Sequence, residues 1–425
     1  MENERNSLLD WPHQVPAVAL HCLADAEFIR ALELGPADWW RTWQRQRLCE
    51  LLRWLGKSNF NELPIQRRQD FRVQFEEGPA KAPAEHGAMA KFQSSGSCGV
   101  PVQFWRTELA TRINLSHYWA DHQRQGRDLH KTMATITGTP GQHDDCHLDL
   151  KGEPWLHPGR QLARNSPQFT MDEHARWICE HAPNYLVTTP ATLSSILSII
   201  EMTGLQAPKI AQVMTSSHAV EPELRVRTRR VFGASIRDRY SCEELGPVAF
   251  QCPESDDCYH VAVGNVIVEV VDASGQAAAE GTLGSVLVTG LHQWATPALR
   301  YELGDIAALH THCPGCGATV PALSHLMGRK YFLLNSSSQG LRHVRILAEH
   351  WLACAPVREH RVVQTSLVSF RAEVVLDRVM TDSEQRALLT MLSQLIGPEF
   401  TIELAQLNAI PWTNSKRHEF VGLAS

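Results

Sequence analysis

The stretch from Phe92 to Pro101, Phe-Gln-Ser-Ser-Gly-Ser-Cys-Gly-Val-Pro, contains residue types that can hold an anion. Its glycines lack a Cβ atom, so the backbone can bend tightly around a phosphate, and its serines add hydroxyl and amide donors. The candidate phosphate-binding residues are Ser94, Ser95, Gly96, Ser97 and Gly99. A plain linker is the competing interpretation, because the Gly-Lys-Ser/Thr ending of common nucleotide loops is absent.

A second chemical signal is Cys313-Pro-Gly-Cys316. Two thiolates separated by two residues on a glycine-supported turn can share one tetrahedral metal ion, although reduced, unligated thiols are the alternative. Another run of ligand types, His143 to His147, lies in an irregular segment and is interpreted as solvated or pocket-lining. Cys98 is interpreted as a small substitute for threonine, because no base can be paired with it from sequence.

The composition limits the classes of function that fit the chain. A chain of 425 residues with 43% hydrophobic residues can form more than one domain, and eleven cysteines in a chain this long favour thiols and metal ligands over a disulfide framework. A net charge of −6 gives no general basic surface for nucleic acid, and no apolar run is long enough to predict a membrane span. The N-terminus lacks an apolar signal core, so we expect a cytoplasmic protein.

The elements around the serine-glycine loop suit phosphate binding. A charged helix is predicted near 66–76, a strand at 101–105, and Thr107 is placed to cap a helix that runs to about Gln125. A helix over 36–56 carries several tryptophans. We interpret it as core-facing rather than as a stacking platform for bases, since a basic surface is absent.

Strands and helices then alternate, which predicts an α/β layered fold. Strands are predicted at 133–137, 185–187 and 209–214, with helices at 171–181 and 191–204 and an irregular loop over 138–167. Valine-rich strands between 259 and 309 are predicted to form hairpins at Gly264-Asn265 and Ser274-Gly275.

The C-terminal section is predicted to be a small, mobile α+β domain, with strands at 358–364, 368–376 and 400–403 and a helix at 381–396. We therefore expect a large multi-subdomain N-terminal domain over 1–328 and a small lid domain over 329–425.

Four motifs follow the loop in an order and spacing that resemble those of adenylate-forming enzymes. They are Tyr240-Ser241-Cys242-Glu243-Glu244, the heptapeptide Leu299 to Asp305, Gly328-Arg329, and Asn414-Ser415-Lys416-Arg417. Within that superfamily the chain most resembles the phenylacetate-CoA ligase branch, through Leu63-Pro64-Ile65, Asp70-Phe71-Arg72 and Pro183-Asn184-Tyr185-Leu186. The resemblance runs from about residue 45 to the C-terminus.

The resemblance implies ATP and magnesium as cofactors and a role for each motif. The serine-glycine loop would hold the β- and γ-phosphates, and Glu244 would hold Mg²⁺. Tyr240 would lie beside the adenine or the α-phosphate, and Asp305 would accept both ribose hydroxyls. Arg329 would support the same end of the nucleotide. Acyl-pocket residues would come from 134–140 and 213–219.

Lys416 would be the catalytic lysine, which contacts the acyl carboxylate and the α-phosphate from a mobile domain. Rotation about a hinge near residue 330 would then admit a thiol. The implied substrate is an aryl or arylacetic acid. The acceptor is left open between CoA, the phosphopantetheine of a carrier protein, and an amine, and a homodimer is one expected assembly.

Several positions depart from the pattern of the superfamily. Ser97-Cys98 replaces two threonines, Val100 replaces a lysine, Ser241 replaces a glycine, and the segment 328–331 lacks an acidic pair at the hinge. These departures favour a rival interpretation, a non-catalytic nucleotide- or acyl-adenylate-binding protein. The retention of Glu244, Asp305 and Lys416 opposes it.

Relatives in this branch pair the Cys-x-x-Cys turn with a cysteine and a histidine. The resemblance therefore predicts a closed, structural Zn²⁺ site at Cys252, His260, Cys313 and Cys316. Cys258, His310 and His312 are the substitutes.

Overall fold

The computed structural model describes residues 17–60, 62–79, 82–94, 102–137, 159–165, 168–329, 334–336, 340–342, 344, 346, 348–410 and 420–423. Its helices are α1 Ala17–Leu34, α2 Ala37–Trp54, α3 Arg68–Glu76, α4 Glu108–Arg124, α5 Met171–His181, α6 Pro190–Thr203, α7 Pro222–Phe232, α8 Ala348–Cys354 and α9 Asp382–Ile396. In the described part of the chain, no helix combines the length and apolar character needed to cross a membrane.

The strands are β1 Met89–Gln93, β2 Gln103–Thr107, β3 Met133–Thr137, β4 Gln161–Asn165, β5 Tyr185–Thr188, β6 Gln212–Ser216, β7 Ser235–Cys242, β8 Gly246–Gln251, β9 Tyr259–Val261, β10 Val266–Val271, β11 Leu283–Gly290, β12 Tyr301–His310, β13 Ala322–Arg329, β14 Leu334–Ser336, β15 Gly340–Arg342, β16 Glu359–Ser366, β17 Ser369–Val375, β18 Thr401–Gln406 and β19 Phe420–Val421.

The main sheet has eleven strands in the order β10-β11-β12-β13-β9-β8-β7-β6-β5-β3-β4. Strands β4, β3, β5, β6 and β7 are parallel, and the remaining pairs are antiparallel. Helices α5 to α7 cover one face of the parallel half, where Ile136, Leu186, Val213 and Ile236 join their apolar side chains. The predicted α/β layered fold is confirmed.

Local capping signals locate two of the helices well. The Thr107 hydroxyl accepts a hydrogen bond from the Ala110 amide and begins α4, as predicted. Thr170 and Glu173 form a reciprocal capping box at the start of α5. By contrast, β6 begins at residue 212 rather than 209.

The predicted hairpin at Gly264-Asn265 is wrong. This turn joins β9 to β10, but β9 pairs with β8 and β13, whereas β10 pairs with β11. The Asn265 side chain donates to the carbonyls of Leu245 and Pro247, so it holds the turn against the β7–β8 connection. The second predicted hairpin, at Ser274-Gly275, joins the antiparallel pair β10 and β11.

The C-terminal section has its own sheet, in the order β18-β17-β16-β19, and its own core. Trp351, Phe370, Leu388 and Leu392 are among the buried residues of that core, which α8 and α9 help to form. The α+β composition expected there is present. The domain boundary near 328 stays a prediction.

Candidate active site and metal cluster

The parallel strands β3, β5, β6 and β7 end at one edge of the main sheet, which is where ligands bind in open α/β sheets. A backbone outlier marks this edge. Ser217, the residue after β6, has φ +85°, a left-handed conformation that costs free energy in a residue other than glycine. Such strain at the carboxyl end of a strand is typical of a binding site.

Ser94 lies at the base of the serine-glycine loop, between the paired strands β1 and β2. Its amide donates to the Val102 carbonyl at 2.8 Å, and its hydroxyl accepts from the Val102 amide at 2.9 Å and from Arg68 at 3.2 Å. The hydroxyl therefore helps to close the loop. The context predicted for the loop, between two strands and ahead of a helix, is confirmed.

The other loop residues, Ser95, Gly96, Ser97 and Gly99, lie outside the described residues, as do Cys98 and Val100. The same holds for Lys416, the hinge at residue 330, and the run from His143 to His147. Arg329 ends β13 and is described by its backbone.

Tyr240 and Asp305 are brought together from separate motifs. The Tyr240 hydroxyl donates to Oδ2 of Asp305 at 2.7 Å, although 65 positions separate the two residues. Both side chains are buried. Asp305 is also the register partner of Arg329 in the β12–β13 pair. Three of the predicted nucleotide residues thus belong to one sheet, on β7, β12 and β13, and the side chains of two of them are hydrogen-bonded.

A β-bulge sets the position of Asp305. Ser285 of β11 pairs with Ile306, and Leu287 pairs with Glu302, so three residues of β12 lie opposite a single residue of β11. Gly304, directly before Asp305, has φ +82°, which favours glycine. Bulges bend a strand and re-aim its side chains, and they are frequent near active sites.

Glu244 lies in the turn between β7 and β8, with only 3% of its surface exposed. The Tyr301 hydroxyl lies 3.4 Å from its Oε1 atom, and no basic side chain in the described part of the chain forms an ion pair with it. Gly246 fixes the turn: its φ is +76°, and a Cβ there would lie 2.3 Å from the Asn114 side chain. The Arg106 guanidinium acts on Glu244 electrostatically without a direct ion pair, so both carboxylate oxygens can still ligate Mg²⁺.

The four predicted zinc ligands form one cluster. The ligand atoms of Cys252, His260, Cys313 and Cys316 all lie within 4.8 Å of one another, and Sγ of Cys316 lies 3.2 Å from Nε2 of His260. Two cysteines come from the turn after β12, and the other two ligands from β9 and the end of β8. Three thiols and an imidazole are a donor set that suits tetrahedral Zn²⁺.

The proposed substitutes stand outside this cluster. The backbone carbonyl of Cys258 accepts a hydrogen bond from the Cys252 amide at 2.8 Å. His310 lies 2.8 Å from the Ser324 hydroxyl, and His312 lies 3.1 Å from the Thr311 hydroxyl.

Burial shapes the protonation of the cluster. It raises the pKa of the Cys313 thiol to about 12 and also raises the pKa of Cys252, while it lowers the pKa of His260 to about 4. His260 is therefore neutral at pH 7, the form that binds metals. Backbone amides partly offset the burial of Cys252 and Cys313, and a bound cation would favour their thiolate forms further.

Two further residues were not singled out from the sequence. Tyr301, inside the Leu299–Asp305 motif, contacts Glu244, and Arg106 of β2 donates to the Glu243 carbonyl. The signal available for Tyr301 was an aromatic residue four positions before Asp305. Nothing in the sequence pointed to Arg106.

No protein-family model matches the chain. The phenylacetate-coenzyme A ligase of Pseudomonas putida is 26% identical over an alignment of 323 residues, gaps included, and the match covers 67% of this chain and 70% of that protein. The ligase of the same name from Thermus thermophilus is 24% identical over an alignment of 292 residues, gaps included, and the match covers 64% of this chain and 62% of that protein.

Solved structures share the fold at lower identity. A 2-hydroxyisobutyryl-CoA ligase in complex with 2-HIB-AMP has a TM-score of 0.65 at 16% identity, and the match covers 96% of this chain and 90% of that one. An anthranilate CoA ligase in complex with anthranoyl-AMP has a TM-score of 0.51 at 14% identity, over 77% of this chain and 65% of that one. The chain is thus similar in sequence to phenylacetate-CoA ligases and similar in fold to adenylate-forming CoA ligases.

Proposed function

We propose that this protein uses ATP to activate a carboxylic acid as an acyl-AMP, releases pyrophosphate, and transfers the acyl group to the thiol of CoA. The observation that carries this proposal is the Tyr240–Asp305 hydrogen bond, beside the Arg329 register position. The curated relatives are named as CoA ligases, which supports both half-reactions.

Asp305 suits the ribose of ATP. A carboxylate has about four acceptor sites, so Asp305 can accept from Tyr240 and from both ribose hydroxyls together. Tyr240 fixes the carboxylate before the nucleotide arrives, which reduces the ordering that binding requires. Arg329 would support the same end of the nucleotide from β13.

Phosphoryl charge is the main obstacle in the first step, because an anionic carboxylate oxygen must attack the α-phosphorus as pyrophosphate leaves. Glu244 would hold the Mg²⁺ ion, which neutralises phosphate charge when bound. Ser94 would fix the base of the loop whose residues Ser95, Gly96, Ser97 and Gly99 bind the terminal phosphates.

Lys416 would supply the second cation, from a C-terminal domain over 329–425 that moves against an N-terminal domain over 1–328. The separate sheet and core of the C-terminal section support that division. A long flexible ammonium group can approach the carboxylate and the α-phosphate during adenylation and withdraw afterwards.

Cys252, His260, Cys313 and Cys316 would hold one structural Zn²⁺ ion. Four protein ligands leave no open coordination position for a substrate. The role of the ion would therefore be to link β8 and β9 to the turn after β12.

The acid is proposed to be an aryl or arylacetic acid, because the named relatives and one structural neighbour act on acids of that class. Carrier-protein phosphopantetheine and amines are the other acceptors to be tested beside CoA.

Carboxylate-dependent pyrophosphate release tests the proposal. The panel should contain aromatic, arylacetic and aliphatic acids, with hydroxylamine to trap acyl-AMP and no thiol added. We expect release with one acid class and, in the Lys416→Ala variant, a loss of at least about 100-fold with ATP binding retained. If no acid causes pyrophosphate release although ATP still binds, the result would instead support the non-catalytic rival.

A further inference from the structure

One face of the parallel half-sheet is left uncovered by α5 to α7. Ala134, Ile136, Leu186 and Val213 point into the core beneath those helices. The alternate residues therefore occupy the opposite face, where Met133, Tyr185 and Met214 pack together and Val187 is half-buried beside them. Helix α4 borders this face, since the Gln212 side chain donates to the Gln125 carbonyl at its end.

Arg239 of β7 projects onto this face. Its Nε donates to Oδ2 of Asp121 in α4 at 3.1 Å, and one terminal nitrogen lies 3.5 Å from Sδ of Met214, a weak acceptor. The ring of Tyr118 lies 5.1 Å from the guanidinium carbon. The side chain keeps 14% of its surface exposed. One edge of the guanidinium is thus fixed, while the other has no strong acceptor among the residues that the structure describes.

The arginines around Asp121 outnumber the carboxylates. Arg124, Arg127 and Arg239 all form ion pairs with Asp121, and Arg124 also pairs with Glu33. Arg30 pairs with Glu33 as well, so within the described residues two carboxylates face four guanidinium groups. The buried Nη2 of Arg127 has no hydrogen-bond partner among those residues. Burial alone would raise the pKa of Asp121, but the three arginines together hold it well below its usual range. A buried excess of positive charge favours the binding of an anion.

This excess lies where the acyl group is expected. Arg239 directly precedes Tyr240, which holds Asp305, and its register partner in β6 is Ser216. Ser216 and Met214 both belong to the predicted acyl-pocket segment 213–219. An acid whose reacting carboxylate is at the nucleotide would therefore extend its far end over this face.

We propose that Arg239 binds a second carboxylate on the substrate, so that the acid activated by this chain is a dicarboxylic acid. The inference rests on the proposed function and narrows its substrate class. Arg239 acts as a specificity-determining residue, because it can form charge-assisted hydrogen bonds with a far carboxylate that a monocarboxylic acid cannot supply. Asp121 holds the guanidinium in place for that contact.

The test compares matched acids on the full chain by pyrophosphate release: phenylacetate against the three carboxyphenylacetates, and butyrate against succinate. We expect the best diacid to exceed its monoacid in kcat/KM by about tenfold or more. In Arg239→Gln this ratio should collapse to about one, with the affinity for ATP unchanged. The fold should survive, because Arg124 and Arg127 still neutralise Asp121.

Arg237→Gln is the matched control, since Arg237 lies two residues earlier on the same strand and faces Asp256 instead. It should keep the preference for the diacid. Activation of monoacids alone, or a diacid preference that persists in Arg239→Gln, would overturn this inference and leave the proposed function standing. Failure to activate any acid would overturn both. If Arg239→Gln does not fold, the comparison of each diacid with its monoacid on the unmodified protein is sufficient to test the inference.

Discussion

The same strands carry two different sites at their opposite ends. At one end Tyr240 and Asp305 meet, with Glu244 in the turn after β7, and at the other end the four proposed zinc ligands converge. The first site consists of single hydrogen bonds between residues far apart in sequence, whereas the second gathers four donors into one small volume. Sites of the first kind depend on strand register, and sites of the second kind depend on local spacing and a bound ion.

Removal of the metal should have the largest effect and act on folding. In Cys313→Ser/Cys316→Ser we expect zinc to fall from about one ion per chain to none, with a loss of several kcal/mol in the free energy of unfolding. Metal analysis and denaturant unfolding measure both. Zinc-free wild-type protein of undiminished stability would contradict the assignment.

Loss of the Asp305 carboxylate should act on nucleotide binding instead. In Asp305→Ala we expect kcat/KM for ATP to fall about 100-fold, which corresponds to about 3 kcal/mol for hydrogen bonds to a charged acceptor. Zinc content should stay at the wild-type level. The control is Glu280, an exposed carboxylate that accepts hydrogen bonds from Thr311. The Glu280→Gln variant should keep full activity. Equal losses in both variants would refute a specific role for Asp305.

Asp238 lies on the same strand as Tyr240 and should report on stability alone. Burial raises its pKa to about 6, even though the hydroxyls of Thr215 and Tyr259 donate to it. The folded state therefore binds more protons than the unfolded state between about pH 4 and pH 6, so this group makes the protein less stable as pH rises through that window.

Asp238→Asn removes this titration. Relative to wild type, its free energy of unfolding should rise by up to about 3 kcal/mol between pH 4 and pH 7. Denaturant unfolding at four pH values measures the difference, and a difference independent of pH would show that the pKa of Asp238 is not raised in the folded state.

The smallest effect is expected from Tyr240→Phe. One hydrogen bond to Asp305 is lost, so kcat/KM for ATP should fall about fivefold to tenfold, or about 1 kcal/mol. The matched control is Tyr259→Phe, which removes a hydroxyl bound to Asp238 and should reduce stability without raising KM. If Tyr259→Phe raised the KM for ATP more than Tyr240→Phe does, the assignment of Tyr240 to the nucleotide site would be wrong.

The features that could be predicted from the sequence are those that depend on local spacing, and the features that could not are those that depend on strand register. The Cys313-Cys316 turn, the Thr107 cap and the alternation of strands and helices are local signals, and the structure bears them out. The residue-level pairing of Tyr240 with Asp305 depends on sheet order and on the bulge before Ile306, which no local pattern encodes. The wrong hairpin at Gly264-Asn265 has the same cause, because β9 takes β13 rather than β10 as its neighbour. Arg239 shows no signal in sequence, since its significance comes from α4.

The most direct measurement follows oxygen-18 from the acid into the products. The panel acids, labelled in their carboxylate oxygens, are incubated with ATP, Mg²⁺ and CoA, and the products are analysed by mass spectrometry. If the carboxylate attacks the α-phosphorus, AMP carries one heavy oxygen and pyrophosphate carries none. Label in inorganic phosphate together with ADP would mean attack at the γ-phosphorus and would contradict the adenylation account.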